Sequence, residues 1–196
     1  MALEDIPKLL HDKYEIHEWR HASAVLMHDF SSQWMDIQNV LAHFILKKSD
    51  IIAPGGRKSK IAEWIDLELM KKGWTERKFE TSIKVDKIEF ASPTHKVDCY
   101  KNRVGLEIEW NNKDPFYDRD LNNFRLLFEL RAIAVGVIVT RCDELQEIFD
   151  SLGRGPSYGN STTHMSKLLP RLEGGAGGGC PILVFGIRKK LYNPKL

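Results

Sequence analysis

The stretch VDCYKNRVGLEIEW, residues 97–110, places three carboxylates in a segment that has the pattern of a core strand. From position 104 onward, aliphatic residues alternate with Gly105, Glu107 and Glu109, which is the period of two of a half-buried strand. Glu107 and Glu109 are therefore expected on one face of the strand and the aliphatic side chains on the other. Two like charges at neighbouring positions of one face repel each other unless a positive group lies between them. The pattern thus predicts a positive group beside the two glutamates.

The length and composition are those of an ordinary globular protein. The chain has 196 residues, 42% of them hydrophobic and 29% charged, which suits a single domain with one good core. A net charge of +2 neither requires nor excludes a nucleic-acid partner. Cys99, Cys142 and Cys180 form neither a disulfide framework nor a CxxC pair, as expected in a reducing cytosol. The charged opening LEDIPKLLHDKYE does not resemble a signal peptide, and no apolar run has the length of a membrane span. We therefore expect a soluble cytoplasmic protein with no membrane partner.

The order of helical and strand patterns predicts one α/β domain with a mixed central β-sheet flanked by helices. The continuous apolar run AIAVGVIVT is typical of a central strand that is covered on both faces. Strands are predicted at residues 14–21, 79–85, 97–110, 132–140 and 181–187, helices at 36–47, 59–72, 121–131, 144–152 and 165–172, and a polar loop at 111–120.

Carboxylates clustered at a sheet edge beside a polar loop are typical ligands of a hard divalent cation. Mg²⁺ takes oxygen ligands and usually keeps several waters, so one or two carboxylates and substrate phosphate oxygens complete its shell. Such a metal lowers the pKa of a bound water and neutralises charge that develops on a phosphodiester. The spacing alone leaves a second interpretation open, in which Glu107 and Glu109 pair with Lys101 or Arg103 or simply face solvent.

The arrangement Asp98, eight residues, Glu107, Ile108, Glu109 resembles the core of the PD-(D/E)xK nucleases. The particular resemblance is to type II restriction endonucleases of the BglII/BstYI kind, and more distantly to the BamHI kind, and it extends over most of the chain. The helix ending in KKGW resembles the helix before their catalytic strands, and RVGLEIEW resembles their R-V-x-x-E-V-Q strand. The glycine tract with CPILVFGI resembles their final strand. The resemblance implies a restriction-endonuclease-like fold, with residues 1–196 forming a single catalytic and DNA-binding domain.

Site residues follow from this resemblance. It implies that Asp98 and Glu107 bind Mg²⁺, with Mn²⁺ able to substitute, and that these residues are catalytic together with Glu109 and Glu63. Glu109 stands where the superfamily usually has lysine, BglII-like enzymes have glutamine and BamHI-like enzymes have glutamate. Its role is then to orient or deprotonate the attacking water.

Two positions depart from the family pattern or are ambiguous. Val97 rather than proline precedes Asp98. Glu63 is the best match to the polar residue that these enzymes supply from the preceding helix, but an alignment shifted by one position would select Ala62 instead.

Three polar segments are candidates for contact with DNA, because phosphate contacts supply affinity and loop donors and acceptors read base edges. The residues after the catalytic strand lie where the resembled enzymes place base-reading side chains, and asparagine can pair bidentately with adenine. The segment at residues 55–60 precedes a helix N-terminus and is a candidate phosphate clamp. The predicted contacts are Arg57, Lys58 and Lys60 in the clamp, Asn111, Asn112, Lys113 and Arg119 after the strand, and Arg154, Ser157, Tyr158, Asn160, Thr162, Thr163 and His164 in GRGPSYGNSTTH.

The resemblance also implies partners. A palindromic site in double-stranded DNA repeats one half-site under two-fold symmetry, so a homodimer is expected. The helices at 36–47 and 121–131 carry enough apolar surface for a dimer interface, although core packing explains it as well. A restriction-modification system in a prokaryotic cytoplasm, with a cognate DNA methyltransferase that need not touch this chain, is expected as well. A GATC-containing target is only weakly suggested.

Two other classes of protein compete with this interpretation. HEWRH, residues 17–21, matches the H-E-x-x-H motif of zinc peptidases, which requires both histidines on a helix. The pattern YEIHEWRHAS favours a strand instead, in which His17 and His21 are too far apart to share a zinc ion. A non-catalytic DNA-binding protein on a nuclease fold is the second alternative, and three retained carboxylates argue against it. Bound zinc, Mg²⁺-dependent cleavage or binding without cleavage would distinguish the three.

Overall fold

A computed structural model describes residues 2–53, 58–92 and 94–196 of the chain. Its strands are β1 (Tyr14–Trp19), β2 (Leu46–Lys47), β3 (Thr75–Arg77), β4 (Ser82–Val85), β5 (Ile88–Ala91), β6 (Val97–Lys101), β7 (Val104–Ile108), β8 (Val135–Arg141), β9 (Ile182–Ile187) and β10 (Tyr192–Asn193). Its α-helices are α1 (Lys8–Lys13), α2 (Ala22–Asp29), α3 (Ser31–His43), α4 (Lys48–Ile52), α5 (Lys60–Met70), α6 (Phe116–Glu129), α7 (Gln146–Ser151) and α8 (Met165–Glu173). Short 3₁₀ turns cover Ala2–Asp5, Asp143–Leu145, Gly155–Tyr158 and Lys189–Leu191.

A six-stranded mixed sheet in the order β1-β9-β8-β7-β6-β3 runs through the middle of the protein. The three central strands β7, β8 and β9 are parallel, whereas β1 and β6 pair antiparallel to their neighbours. All seven residues of β8 are buried, as the apolar run predicts for a strand that is covered on both faces. The predicted fold class, a mixed sheet flanked by helices, is confirmed.

Two hydrophobic cores cover the two faces of the sheet. Side chains of α1 to α5 pack on one face against alternate residues of β7, including Leu106. Helices α6 and α8 pack on the other face, where Phe124 of α6 lies against Gly105 of β7. Because side chains alternate along a strand, Glu107 and Glu109 share the face of Gly105 and point toward α6. The predicted division between the aliphatic and acidic faces of this strand is confirmed.

The predicted strand at 97–110 is two strands joined by a tight hairpin. Lys101 pairs with Val104, and the two residues between them, Asn102 and Arg103, have positive φ angles of 45° and 68°. Two central residues with positive φ are the conformation whose twist suits a two-residue antiparallel hairpin. The turn brings Asp98 of β6 back beside Glu107 of β7.

Several predicted boundaries were wrong. Helix α3 ends at His43 rather than at 47, because the following residues form β2, which pairs in parallel with β10 near the end of the chain. The strand predicted at 79–85 begins at Ser82 and forms a hairpin with β5, which was missed together with β3. The polar loop predicted at 111–120 already contains the first turn of α6, which begins at Phe116.

Among residues 2–53, 58–92 and 94–196, no helix is long and apolar enough to cross a bilayer.

Candidate active site

Asp98 and Glu107 lie side by side where β6 and β7 separate. The main-chain amide of Asp98 donates a hydrogen bond to Glu107 Oε2 at 3.3 Å, and the amide of Ile108 donates one to Asp98 Oδ2 at 3.2 Å. Each carboxylate thus accepts a main-chain N–H from the neighbouring strand, beyond the last paired residues Cys99 and Leu106. These hydrogen bonds fix both carboxylates and leave one oxygen of each for other partners. Glu107 Oε1 is buried and has no hydrogen-bond partner within the described structure.

A third and a fourth carboxylate face Glu107. Glu109 lies one residue beyond the end of β7, and Asp120 approaches from α6; both are 1% exposed, as is Glu107. The predicted site contained no residue of α6, so Asp120 is an addition to it. Asp120 Oδ2 is also buried without a hydrogen-bond partner among the described residues. Four acidic residues, Asp98, Glu107, Glu109 and Asp120, therefore form what we call the carboxylate cluster.

The pKa values within the carboxylate cluster are raised by burial and by mutual repulsion. Burial, followed by the charges of Asp120 and Asp98, raises the pKa of Glu107 well above its ordinary value. Burial and Asp120 raise the pKa of Glu109 to about 9. Burial is also the main reason that the pKa of Asp120 is raised. The cluster consequently binds protons, or a cation, more readily than exposed carboxylates do.

Arg119 supplies positive charge to one side of the cluster. Its Nη2 lies 2.6 Å from Asp120 Oδ1 and 3.3 Å from Glu109 Oε1, and its Nε donates a hydrogen bond to Asp120 Oδ1 at 2.8 Å. The positive group predicted beside the glutamates is therefore present for Glu109. Among the described residues, no Lys, Arg or His forms an ion pair with Glu107. Arg119 was predicted to contact DNA, and the structure places it against the carboxylates.

The donor set suits a hard divalent cation. Asp98 and Glu107 offer carboxylate oxygens from neighbouring strands, and among the described residues the buried Oε1 of Glu107 has no hydrogen-bond partner. Over the described part of the chain, no group of three or more His, Cys, Asp or Glu side chains is arranged to hold a metal ion. Two carboxylates with waters and phosphate oxygens are enough for Mg²⁺, so the residues present fit a cation of this kind.

The structure does not bring Glu63 into this cluster. Glu63 lies on the exposed side of α5, where its carboxylate accepts a hydrogen bond from Lys60 at 2.7 Å. The acidic residue on the buried side of α5 is Asp66, which is 3% exposed and accepts a hydrogen bond from the Cys99 thiol at 3.1 Å. Asp66 is followed three positions later by the buried Leu69, so helical spacing was the signal that placed it on the inward stripe.

The predicted phosphate clamp is only partly described. Arg57 lies outside the described residues. Lys58 forms an ion pair with Asp66, and Lys60 forms the pair with Glu63. Both lysines therefore have carboxylate partners within α5.

The segment after β7 is exposed next to the carboxylate cluster. Asn111 is half-buried, whereas Asn112 and Lys113 are exposed. The Asn112 side chain donates a hydrogen bond from Nδ2 to Glu109 Oε2 at 2.7 Å. A residue predicted to read bases is thus in direct contact with a residue predicted to act on the attacking water.

The second predicted DNA segment is divided between exposed and buried side chains. Ser157 and Asn160 are exposed, and Arg154 is half-buried with its Nη2 3.5 Å from the carbonyl of Ala53. The other four residues are buried and turn their side chains to the protein interior: Tyr158, Thr162, Thr163 and His164. His164, for example, contacts Asp143 Oδ1 through Nδ1 at 2.6 Å, at the start of α8. Of the residues predicted to contact DNA in this segment, Ser157 and Asn160 are therefore the most accessible to it.

The HEWRH motif is not on a helix. His17 lies in β1, where its Nε2 contacts Glu15 Oε1 at 2.8 Å, and His21 follows the strand with a positive φ of 55°. The strand predicted at 14–21 is confirmed over Tyr14–Trp19. The two histidines therefore lack the one-turn helical spacing that zinc peptidases require.

Comparison with known proteins places most of the chain in one family of enzymes. The family model described as restriction endonuclease BglII/BglIII matches residues 14–187, a range that begins at β1 and ends at β9 and so contains the whole central sheet. A search of curated proteins finds no match.

Proposed function

The chain belongs to the BglII/BglIII family of restriction endonucleases and is therefore a nuclease, and we propose that it is a type II enzyme that cleaves double-stranded DNA at a short palindromic sequence with Mg²⁺ as cofactor. The observation that supports this most directly is the pair Asp98 and Glu107. Hydrogen bonds from the main-chain amides of Asp98 and Ile108 fix the two carboxylates on neighbouring strands, and one buried Glu107 oxygen lacks a partner in the described structure.

Each member of the carboxylate cluster has a proposed role. Asp98 and Glu107 would hold Mg²⁺, or Mn²⁺ in its place. When bound, the metal supplies a water of lowered pKa and neutralises charge on the phosphodiester. Glu109 orients or deprotonates the attacking water, while the Asn112 amide and Arg119 hold its carboxylate in place. A supporting role for Glu63 remains a prediction that requires its ion pair with Lys60 to open.

DNA contact is proposed for the accessible polar residues near this cluster. Lys113 would contact phosphate, and Asn112, Ser157 and Asn160 would face base edges or the sugar-phosphate backbone. Affinity from such contacts falls with added salt, because phosphate neutralisation releases counterions.

The assembly is proposed from the symmetry of the substrate. Two copies of the chain, each acting as one catalytic and DNA-binding domain over residues 1–196, would cleave the two strands of a palindromic site as a homodimer. A cognate methyltransferase would protect host DNA in the cytoplasm of a prokaryotic cell, without direct contact to this chain. Sedimentation of the protein with and without DNA tests the dimer.

A non-catalytic DNA-binding protein on the same fold is the competing proposal. It is disfavoured by the carboxylate cluster, because burying like charges destabilises a fold and a binding protein gains nothing from them. Cleavage distinguishes the two proposals directly.

The decisive experiment is a digest of phage DNA with and without Mg²⁺, using wild-type protein, Glu107→Ala and the matched control Glu147→Ala. The Glu147 side chain is 75% exposed on α7, so its loss should leave cleavage intact. Discrete Mg²⁺-dependent fragments from wild type and control, absent with Glu107→Ala, are expected, and sequencing their ends gives the target. Full cleavage by Glu107→Ala would refute the proposed site.

A further inference from the structure

Arg141 is a buried cation whose position requires an explanation. It is the last residue of β8 and only 1% exposed. Within the described residues it forms no ion pair with a carboxylate, and its Nε has no hydrogen-bond partner. An uncompensated buried charge strongly destabilises a fold, so its remaining contacts have to offset that cost.

Those contacts are made with the second predicted DNA segment. Arg141 Nη2 donates to the carbonyl of Tyr158 at 2.9 Å and to Thr162 Oγ1 at 2.8 Å, and Thr162 Oγ1 in turn donates to the carbonyl of Gly159 at 2.7 Å. The guanidinium carbon lies 5.7 Å from the ring centroid of Tyr158 and 5.3 Å from that of Phe149, within range of cation–π attraction. Arg141 therefore contacts the segment directly at Tyr158 and Thr162, and through the Thr162 hydroxyl it is connected to Gly159.

Tyr158 connects Arg141 to Trp110, which lies just beyond the end of β7. Its ring stacks on Phe149 with centroids 4.0 Å apart, and its hydroxyl accepts a hydrogen bond from Trp110 Nε1 at 3.3 Å. Trp110 directly follows Glu109 and packs edge-on against both rings. Arg141 and Trp110 therefore belong to one buried cluster beneath the two polar segments.

The two segments are also joined at their surface. Lys113 and Thr162 form an isolated antiparallel bridge, the Thr163 amide donates to the carbonyl of Asn112 at 2.9 Å, and the Asp114 amide donates to the carbonyl of Ser161 at 3.1 Å. The exposed side chains of the joined segments are polar: Asn112, Lys113, Ser157, Asn160 and Ser161. We call residues 111–114 and 157–163 together the recognition surface.

We propose that Arg141 is a positioning residue that holds both halves of the recognition surface as one unit, so that neither half reads DNA independently of the other. This inference rests on the proposed function for its substrate, and on the hydrogen bonds above for the unit itself. The Asn112 amide connects the unit to Glu109, so a displaced surface also disturbs the catalytic carboxylate.

The test uses Thr162→Val, which removes the hydroxyl that accepts from Arg141 and keeps the shape of the side chain. Thr162→Ser retains a hydroxyl and is the conservative variant, which should keep the wild-type hydrogen bond. Arg141→Met removes all the hydrogen bonds and cation–π contacts of the guanidinium group. Backbone hydrogen exchange is measured first. We expect Thr162→Val and Arg141→Met to speed exchange in residues 111–114 as well as in 157–163, while Thr162→Ser behaves as wild type.

Sequence preference is measured second, by sequencing the ends cut from a randomised DNA library. A single good base contact discriminates by roughly 5- to 150-fold, so Thr162→Val should lose about tenfold or more in preference at several positions of the site. Thr162→Ser should keep the wild-type preference. A merely structural role would lower thermal stability and leave the preference unchanged.

The outcomes separate the inference from the proposed function. Faster exchange confined to 157–163, or an unchanged sequence preference despite faster exchange in both halves, would overturn the inference. Wild-type protein that leaves DNA intact with Mg²⁺ and with Mn²⁺ would refute the proposed function instead. The exchange data alone would then decide whether Arg141 holds the two halves together.

Discussion

Glu109→Gln is expected to stabilise the metal-free protein at neutral pH. Glu109 is 1% exposed and lies beside Asp120, and these surroundings raise its pKa to about 9 from the ordinary value of 4.5. Glutamine has nearly the same shape and can still accept the hydrogen bond from Asn112. It has no charge to desolvate, so the variant removes the penalty and keeps the packing.

The size and sign of the effect follow from proton linkage. Because the native pKa is the higher one, the folded protein binds more protons than the unfolded chain, and the stability contribution of Glu109 is fully present below pH 4.5 and is lost as the pH rises to about 9. The loss is about 1.4 kcal/mol per pH unit. At pH 7, the variant should therefore exceed wild type by about 3 kcal/mol in free energy of unfolding, and the two should agree near pH 4.5.

The assay is urea unfolding in EDTA at several pH values between 5 and 8. Glu63→Gln is the matched control, because Glu63 is exposed and its ion pair with Lys60 lowers its pKa rather than raising it. That control should change the free energy of unfolding little at any of these pH values, because exposed ion pairs are screened by solvent and contribute little to stability. Parallel pH profiles for Glu109→Gln and wild type would refute the argument that burial of this carboxylate destabilises the fold.

Three further predictions concern the metal, the core and DNA. Glu107→Gln should reduce cleavage by more than about 100-fold, because it weakens the hold on the metal. It should also remove most of the thermal stabilisation that Mg²⁺ or Ca²⁺ gives wild type, whereas the exposed Glu147→Gln should retain both cleavage and stabilisation. Equal stabilisation of the two variants would exclude Glu107 as a ligand. Gly136→Ala should lower the free energy of unfolding in urea by about 1–3 kcal/mol, because the new Cβ would lie 2.5 Å from the Phe124 ring; an unchanged stability would mean that the ring can move away. Lys113→Ala should weaken DNA binding equally across sequences and reduce the slope of log Kd against log salt by about one, and an unchanged slope would place Lys113 off the phosphates.

The alternating pattern of residues 104–109 was sufficient to predict the acidic face of β7, because side chains on a strand have only two directions. The same reasoning missed Asp120, since NNKDPFYDRD has the composition of a loop. Tyr117, Leu121 and Phe124 repeat at helical spacing and are buried, so extending that pattern upstream would have placed Asp120 on the inward side of α6.

Other features depend on contacts between distant parts of the chain, which local patterns do not contain. Helix α3 stops at His43 because β2 pairs with β10, whose residues come almost at the end of the sequence. The burial of Thr162 and His164 likewise arises from contacts with Arg141 at the end of β8 and with Asp143 in the 3₁₀ turn that follows it. Residue type alone predicted polar contacts for them and could not assign the partner.

The bridge between Lys113 and Thr162 has a consequence for how such an enzyme acquires a new target. Consider a chimera that exchanges only one of the two stretches of the recognition surface, 111–114 or 157–163, with a relative. It would pair a foreign backbone with a native one and lose the main-chain hydrogen bonds between the two stretches. The same constraint applies to natural sequence change, since a substitution in one of the two stretches is useful only if the other stretch can still pair with it. Grafts that transfer both stretches together with the arginine beneath them are the practical route to altered target choice.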